Sequence, residues 1–327
     1  MFSIIIPLYN KAAYIEKAIR SVLNQTYHEF ELIIVDDGST DNGVLVVEQY
    51  LQKQFKEGNN SLSDNVRIVR QANAGVSTTR NNGVEFAKYD YIAFLDADDW
   101  WHKHYLSEMK QLIENYPDAG LYSASYYQVN NGHRRKATIG VEPNFHSGYI
   151  DYCETYSNTL CMPVWTGATI IPKKIFQAQQ GFKASLKLGE DFDLWIRVAL
   201  QHKVAFLNKP LAFYNHDVVG QNRAVISNRL YTVNEHYIFN LEYLQEEESI
   251  NSSLKKLLDA LRVYVLQPYF LNKSKRENAR HELSKVDWEK QPLKERIRIK
   301  IPIFFLQLHY KMMNTASKIK QFIKQHR

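Results

Sequence analysis

The chain has 327 residues, 45% of them hydrophobic, enough to bury a large core in one sizeable domain that carries an appendage. Its net charge of +6 is unevenly placed: between Lys290 and Arg327 ten Lys or Arg stand against one acid, Glu295, so this tail holds about +9 and the remainder is slightly negative. With no helix-turn-helix, RRM or zinc-finger signature beside it, that asymmetry excludes a nucleic-acid enzyme, whose positive charge would line the working cleft.

The first hundred residues alternate strand and helix. "SIIIPL" (Ser3 to Leu8) and "FELIIVDD" (Phe30 to Asp37) are short apolar runs rich in Ile and Val, as in strands buried on both faces of a parallel sheet. Ile15, Ala18, Ile19, Val22 and Leu23 mark a helix between them, with Asn10 expected to cap its start. Ser39, Thr40 or Asp41 is expected to cap a second helix that buries Val44, Val47 and Leu51. "VRIVR" (Val66 to Arg70), a helix from about Gly75 to Ala87, and "YIAFLD" (Tyr91 to Asp96) complete a βαβαβαβ series.

Open sheets of this kind collect ligands at the carboxyl ends of their strands. The polar clusters at Pro7 to Lys11, Asp36 to Ser39 and Asp96 to Asp99 all fall there and are expected on one rim. The glycine-rich turn of dinucleotide folds and the Walker lysine loop are both missing, so phosphate has to be held another way. "DADD" offers one. Two carboxylates spaced Asp-x-Asp at a strand end can supply oxygen ligands to a hard divalent cation that bridges a diphosphate. Taken alone the triplet also fits a helix cap or a solvated turn.

Four segments, taken together in order and spacing, are more specific: "SIIIPLYNKAAYIEKAIRSVLNQTYHEFELIIVDDGSTD", "NAGVSTTRNNG", "YIAFLDADDWW" and "GEDFDLWIRVAL". They resemble family 2 glycosyltransferases, the inverting family with the GT-A fold, over roughly residues 1–216. The resemblance implies an α/β domain over residues 1–222, with a Rossmann-like, mostly parallel sheet flanked by helices. It also implies that Pro7, Tyr9 and Asn10 border the nucleotide and that Asp37 accepts a hydrogen bond from the base. Arg80 would approach the diphosphate, Asp96 the ribose and sugar, and Asp98 would be the main protein ligand of Mn2+ or Mg2+, with His216 touching metal or diphosphate. Asp191 would be the general base, with Glu190 as the alternative, because the motif sets two acids side by side. Asp99 either supports Asp98 or caps the helix expected near His102. Trp165 either stacks on a sugar or belongs to the core.

After about Asn222, "YTVNEHYIFNLEYLQ" and "LKKLLDALRVYVLQPYF" have helical apolar spacing, so residues 223–327 are expected to form a helical appendage. Its basic amphipathic end, from "LKERIRIKIPIFF" onward, suits either an anionic membrane surface or packing on its own domain or on a second subunit as a homodimer. Cys153 and Cys161 lie in no metal or disulfide pattern, no signal peptide is visible, and no stretch reaches the ~20 apolar residues of a membrane span. The expected setting is the cytoplasm, with peripheral attachment to the inner face of the plasma membrane. The expected reaction moves a sugar from a nucleotide-sugar donor, a UDP-sugar in the first instance, to a glycan or lipid-linked acceptor of a bacterial surface polysaccharide. Two other readings are a binding protein that keeps the nucleotide site without turnover and a sugar nucleotidyltransferase; the latter's glycine-rich basic loop is absent.

Overall fold

The computed structural model describes residues 1–56, 65–218 and 229–301. The chain divides into two compact units, Met1–Tyr237 and Ile238–Arg327. In the first unit the strands are β1 (Phe2–Leu8), β2 (Phe30–Asp36), β3 (Val66–Arg70), β4 (Tyr91–Phe94), β5 (Trp100–Trp101), β6 (Ala119–Asn130), β7 (His133–Lys136), β8 (Ser147–Ile150), β9 (Thr169–Pro172) and β10 (Lys203–Asn215). Its helices are α1 (Ile15–Leu23), α2 (Gly43–Lys56), α3 (Val76–Glu85), α4 (Tyr105–Asn115), α5 (Tyr152–Thr159), α6 (Lys173–Ala178) and α7 (Glu190–Ala199).

These strands form one mixed sheet of order β3-β2-β1-β4-β9-β6-β10-β5, with β7 beside β6 and β8 beside β10. The first four strands are mutually parallel, as the continuous apolar runs of β1, β2 and β4 predict: every residue of β2 is buried, while β3, at the sheet edge, is only partly so. β9 lies antiparallel to both β4 and β6, so β6 and its parallel neighbour β10 point the same way as β1, β2 and β4. The carboxyl ends of all five therefore reach one rim.

Helices cover the sheet with the faces their periodicity dictates. α1 buries Ile15, Ala18, Ile19 and Val22. On α3, Gly83 lets the helix approach β1 closely; an added Cβ would stand 2.5 Å from a methyl of Ile5 and 3.3 Å from Val35. The segment after Arg229 still belongs to this unit, because His236 bridges Leu188 and Lys187 and Leu188 donate to the carbonyl of Glu235.

The second unit is helical, with α8 (Gln245–Ile250), α9 (Ser252–Val265), α10 (Gln267–Leu271), α11 (Arg276–Ser284) and α12 (Leu293–Lys300). α9 buries Leu254, Leu257, Leu258 and Leu261 at three and four residue spacing. Beside them Arg262 is 1% exposed, and its guanidinium donates through both terminal nitrogens to Glu248. Among the described residues no helix is long and apolar enough to cross a membrane. On α12, Leu293 and Ile297 are exposed. The tail expectation falls mostly on residues 302–327, which lie outside the described residues.

Replacing Gly83 by Ala tests the α3–β1 approach. The gain in helix propensity, about 1 kcal/mol, is outweighed by overpacking against Ile5, and a net loss of about 1–2 kcal/mol is expected in urea unfolding. An unchanged midpoint would show that the helix can shift without cost.

Candidate functional site

The loops after β1 and β2 are tied together by Asn10. Its backbone takes φ 51°, a left-handed conformation that asparagine tolerates better than most residues. From there its side-chain carbonyl accepts the backbone N–H groups of Thr40 (2.8 Å) and Asp41 (3.3 Å) and the Thr40 hydroxyl (3.2 Å). Asn10 does not cap α1, which begins four residues later than that expectation allows, behind Tyr14 and without a side-chain cap. At the entry to α2, Asp41 accepts the N–H of Gly43 at 2.8 Å, a turn bond one residue ahead of the position that caps the helix. Pro7 lies within β1 opposite Val35, and Tyr9 is exposed on the rim.

Of the "DD" pair, Asp36 shapes the turn by accepting the N–H of Ser39 at 3.1 Å. Asp37, 3% exposed, organises the neighbouring loop. Its Oδ1 accepts the Gln71 amide (2.8 Å) and the Ala74 N–H (2.7 Å), and its Oδ2 accepts the Gly75 N–H (2.9 Å) at the entry to α3. Among the described residues Oδ2 accepts no other hydrogen bond, which leaves it one further lone pair.

Arg80 is the hub of the rim. It is 4% exposed, donates to Asp96 Oδ1 at 2.7 Å and to Glu190 Oε1 at 3.1 Å, and packs its guanidinium 5.3 Å from the Phe182 ring. Its Nε has no hydrogen-bond partner among the described residues. Thus a residue of α3 joins the acid at the end of β4 to the acid that opens α7.

Asp98 forms an ion pair with Lys11, and both side chains are largely buried. Asp99 is 2% exposed and accepts the N–H of Asn215 at 2.7 Å, while the Asn215 side chain donates to the Asp98 carbonyl at 3.1 Å. Asp99 therefore anchors the end of β10 and does not cap α4, whose first residue is Tyr105. His216 follows, its ring 4.2 Å from that of Tyr214. Burial, and the mutual charge of Asp96, Asp98 and Asp99, raise the carboxyl pKa values of Asp98 and Asp99 above the usual range, although Lys11 pulls the other way.

The second acidic pair sits where the sequence places it. Gly189, at φ 77°, turns the chain into α7, and an added Cβ there would run into the Tyr237 ring. Asp191 Oδ1 accepts its neighbour's N–H at 2.7 Å, and Oδ2 lies 3.4 Å from the Thr166 hydroxyl. Burial, then the charge of Asp191, pushes Glu190 up to about 7 in spite of its bond to Arg80, which Asp96 shares at closer range. Burial likewise raises Asp191, against the pull of Arg80. The third acid of the motif, Asp193, is locked by Lys183 (2.7 Å) and Arg197 (2.8 Å) and serves the fold.

The structure thus brings Arg80, Asp96 and Glu190 into direct contact. Tyr214 connects the two halves, since its phenol, buried and pushed up, feels Asp99, Asp96, Asp98 and Asp191. Trp165 packs between Tyr126 (4.8 Å) and Tyr214 (5.0 Å) and belongs to the core. Lys11 falls in the rim cluster expected from the sequence, though not as the partner of Asp98, whereas Gln71, Thr166 and Asn215 were not foreseen; only the position of Asn215 before His216 could have flagged one of them. Among the described residues no three His, Cys, Asp or Glu side chains group closely enough to hold a metal unaided. Asp96 and Asp98 offer hard oxygen atoms of the kind a divalent cation takes, each paired here with one cation, Arg80 and Lys11.

The family model for "Glycosyl transferase family 2" matches residues 3–176. An uncharacterized glycosyltransferase of Rickettsia felis is 31% identical over 211 residues, 64% of this chain and 32% of the relative. The glycosyltransferase GlyA of Streptococcus pneumoniae is 29% identical over 219 residues, 65% of this chain and 30% of the relative. The chain thus matches about a third of the length of these relatives. Among solved structures, S. aureus TarS 1–349 in complex with UDP-GlcNAc superimposes with a TM-score of 0.69 at 19% identity, covering 88% of this chain and 82% of that one. The mannosyltransferase PcManGT of Pyrobaculum calidifontis, in complex with GDP-Man and Mn2+, gives 0.53 at 14% identity, covering 98% and 84%. The sheet order, the four motifs and the family match over more than half of the sequence agree: the chain belongs to glycosyl transferase family 2 and has the GT-A fold.

Proposed function

We propose that this protein is a metal-dependent, inverting glycosyltransferase. It moves a hexosyl or N-acetylhexosaminyl group from a UDP-sugar to a hydroxyl of a glycan or lipid-linked acceptor in bacterial surface-polysaccharide synthesis. The observation that carries the reading is the Arg80 bridge, which sets the acid of the strand-end motif against the opening of α7 although 110 residues separate Arg80 from Glu190. Support for a nucleotide-sugar donor comes from the UDP-GlcNAc and GDP-Man held by two proteins of like fold, and support for a divalent cation from the Mn2+ in one of them.

In this reading the nucleotide lies along the rim between Tyr9 and Asp37, whose free lone pair accepts from the base, with Pro7 and Asn10 shaping the floor. Arg80 turns its unpartnered Nε toward the diphosphate, and Asp96 faces the ribose and sugar. Asp98, released from Lys11, and His216 would hold Mn2+ or Mg2+, which supplies the positive charge that stabilises the departing diphosphate. Asp191 takes the proton of the acceptor hydroxyl as its oxygen attacks the anomeric carbon from the side opposite the diphosphate. Its burial makes it a stronger base than an exposed carboxylate, and its Oδ2 makes only the long contact to Thr166. Glu190 is held by Arg80 and positions it. The basic C-terminal end of the chain would bring the protein to the inner face of the membrane.

Asp98→Ala should abolish the thermal shift produced by UDP-sugar with Mn2+, whereas Asp191→Asn should keep that shift and lower transfer by about 10²–10⁴-fold. Full transfer by the Asp191 variant would remove it from the role of base. Because Glu190 has its pKa raised in the fold, it stabilises the protein below its unfolded value and that stability is lost as pH rises toward 7. Glu190→Gln should therefore flatten the decline of melting temperature between about pH 4.5 and 7; an unaltered decline would place the titration elsewhere. A chain ending at Pro292 should lose binding to phosphatidylglycerol vesicles, and equal binding by the two forms would exclude the tail as the anchor.

A further inference from the structure

The first unit carries a second positive region that no motif announces. A groove of about 230 Å³ follows the exposed side of α1 beside β5, lined by Lys17, Arg20, Ser21, Asn24, Trp100 and Lys103. Among the described residues no carboxylate forms an ion pair with Lys17, Arg20 or Lys103. Lys17 lies over the Trp100 ring, 2.9 Å from its centroid. Trp100 stacks on Phe213 at 5.2 Å, and the Arg134 guanidinium sits 4.9 Å from Phe213, so one aromatic stack fixes two cations side by side. Arg134 belongs to β7, whose residues, His133 to Lys136, are all exposed. Burial, then Arg134 and Arg20, lower the pKa of Lys17, which marks positive charge crowded together. The acid that faces it, Asp217, already accepts the N–H groups of Asn131 (2.5 Å) and Gly132 (2.9 Å).

The groove adjoins the centre described above. Trp100 follows Asp99 directly, and the N–H of Trp101 donates to Ser21 of α1 at 3.1 Å, so the acidic turn and the groove wall are one piece of chain. We propose that this groove binds phosphate-ester groups carried by the acceptor, holding it beside the transfer site. The proposal rests on the glycosyltransferase reading. Its geometry is concave, walled by an aromatic ring and cations, with polar Ser21 and Asn24 for hydrogen bonds. None of the large exposed apolar side chains lines it, and a surface meant to lie in a lipid interface needs such side chains. Guanidinium and ammonium groups without carboxylate partners are suited to phosphate oxygens.

The test uses the full chain in metal-free buffer with inorganic tripolyphosphate as the probe, titrated by calorimetry. Wild type and Asp98→Ala should bind it alike, and the triple variant Lys17→Gln, Arg20→Gln, Lys103→Gln should bind at least tenfold more weakly. The triple variant should still give the full thermal shift with UDP-sugar and Mn2+, which shows that it is folded and that the donor reading stands or falls separately. Equal binding by the triple variant overturns the proposal, as does tighter binding in Asp98→Ala, where loss of the carboxylate frees Lys11 and would put the anion at the donor rim. A defect of the triple variant seen only on phosphatidylglycerol vesicles, and not with tripolyphosphate, also overturns it in favour of a membrane-facing patch.

Discussion

The rim is organised around one buried guanidinium. Taking Arg80 out of water is costly unless carboxylates and hydrogen bonds replace its hydration, and leaving it without partners would cost about 3–5 kcal/mol. Asp96 and Glu190 meet that need from β4 and α7, so α3, β4 and α7 must converge for the charge to be tolerated at all. Around this point stand Asp96, Asp98, Asp99, Glu190 and Asp191, against the cations Arg80 and Lys11. The surplus is negative, and the raised carboxyl pKa values of Asp98, Asp99, Glu190 and Asp191 express it.

Such a surplus persists only where the scaffold over-determines it. Asp99 is pinned by Asn215, and Asp37 is held by three donors from the segment Gln71 to Gly75. The loops after β1 and β2 are latched by Asn10. These loops stand on parallel strands whose interior residues are fully buried, so the acids are displayed on rigid supports. Asp193 shows the contrast. Two residues from Asp191, it is compensated by Lys183 and Arg197 and is therefore structural.

How far the sequence reveals this depends on the reach of each interaction. β1, β2 and β4 were legible because strands buried on both faces read as unbroken apolar runs, whereas β3 is only partly buried and was carried by the strand–helix alternation around it. α7 was legible because three acids follow a glycine at its start. Asn10 misled because the same side chain can serve a helix cap or a left-handed turn, and only the chain thirty residues away decides between them. The antiparallel β9 is four residues long and sits between strands that precede it, a placement no local pattern encodes. Partners such as Lys11 for Asp98 and Thr166 for Asp191 are products of topology. The basic groove was hidden by averaging, since the charge outside the C-terminal tail sums to slightly below zero.

That averaging conceals a division of charge within a single unit. A diphosphate brought to the acid rim meets like charge: at 4 Å each pair of unit charges repels by about 4 kcal/mol at an effective dielectric of 20. Arg80 cannot offset this alone, because its terminal nitrogens are already engaged by Asp96 and Glu190. In the proposed reaction a ligand rich in phosphate would therefore reach the rim only with added positive charge, while the groove along α1 presents cations of its own. The two regions share the turn from Asp98 to Trp101, so one short segment separates an acidic rim from a basic groove. For a transfer reaction with two phosphate-bearing substrates, that difference would sort them: the donor is recognised together with its cation, and the acceptor without one.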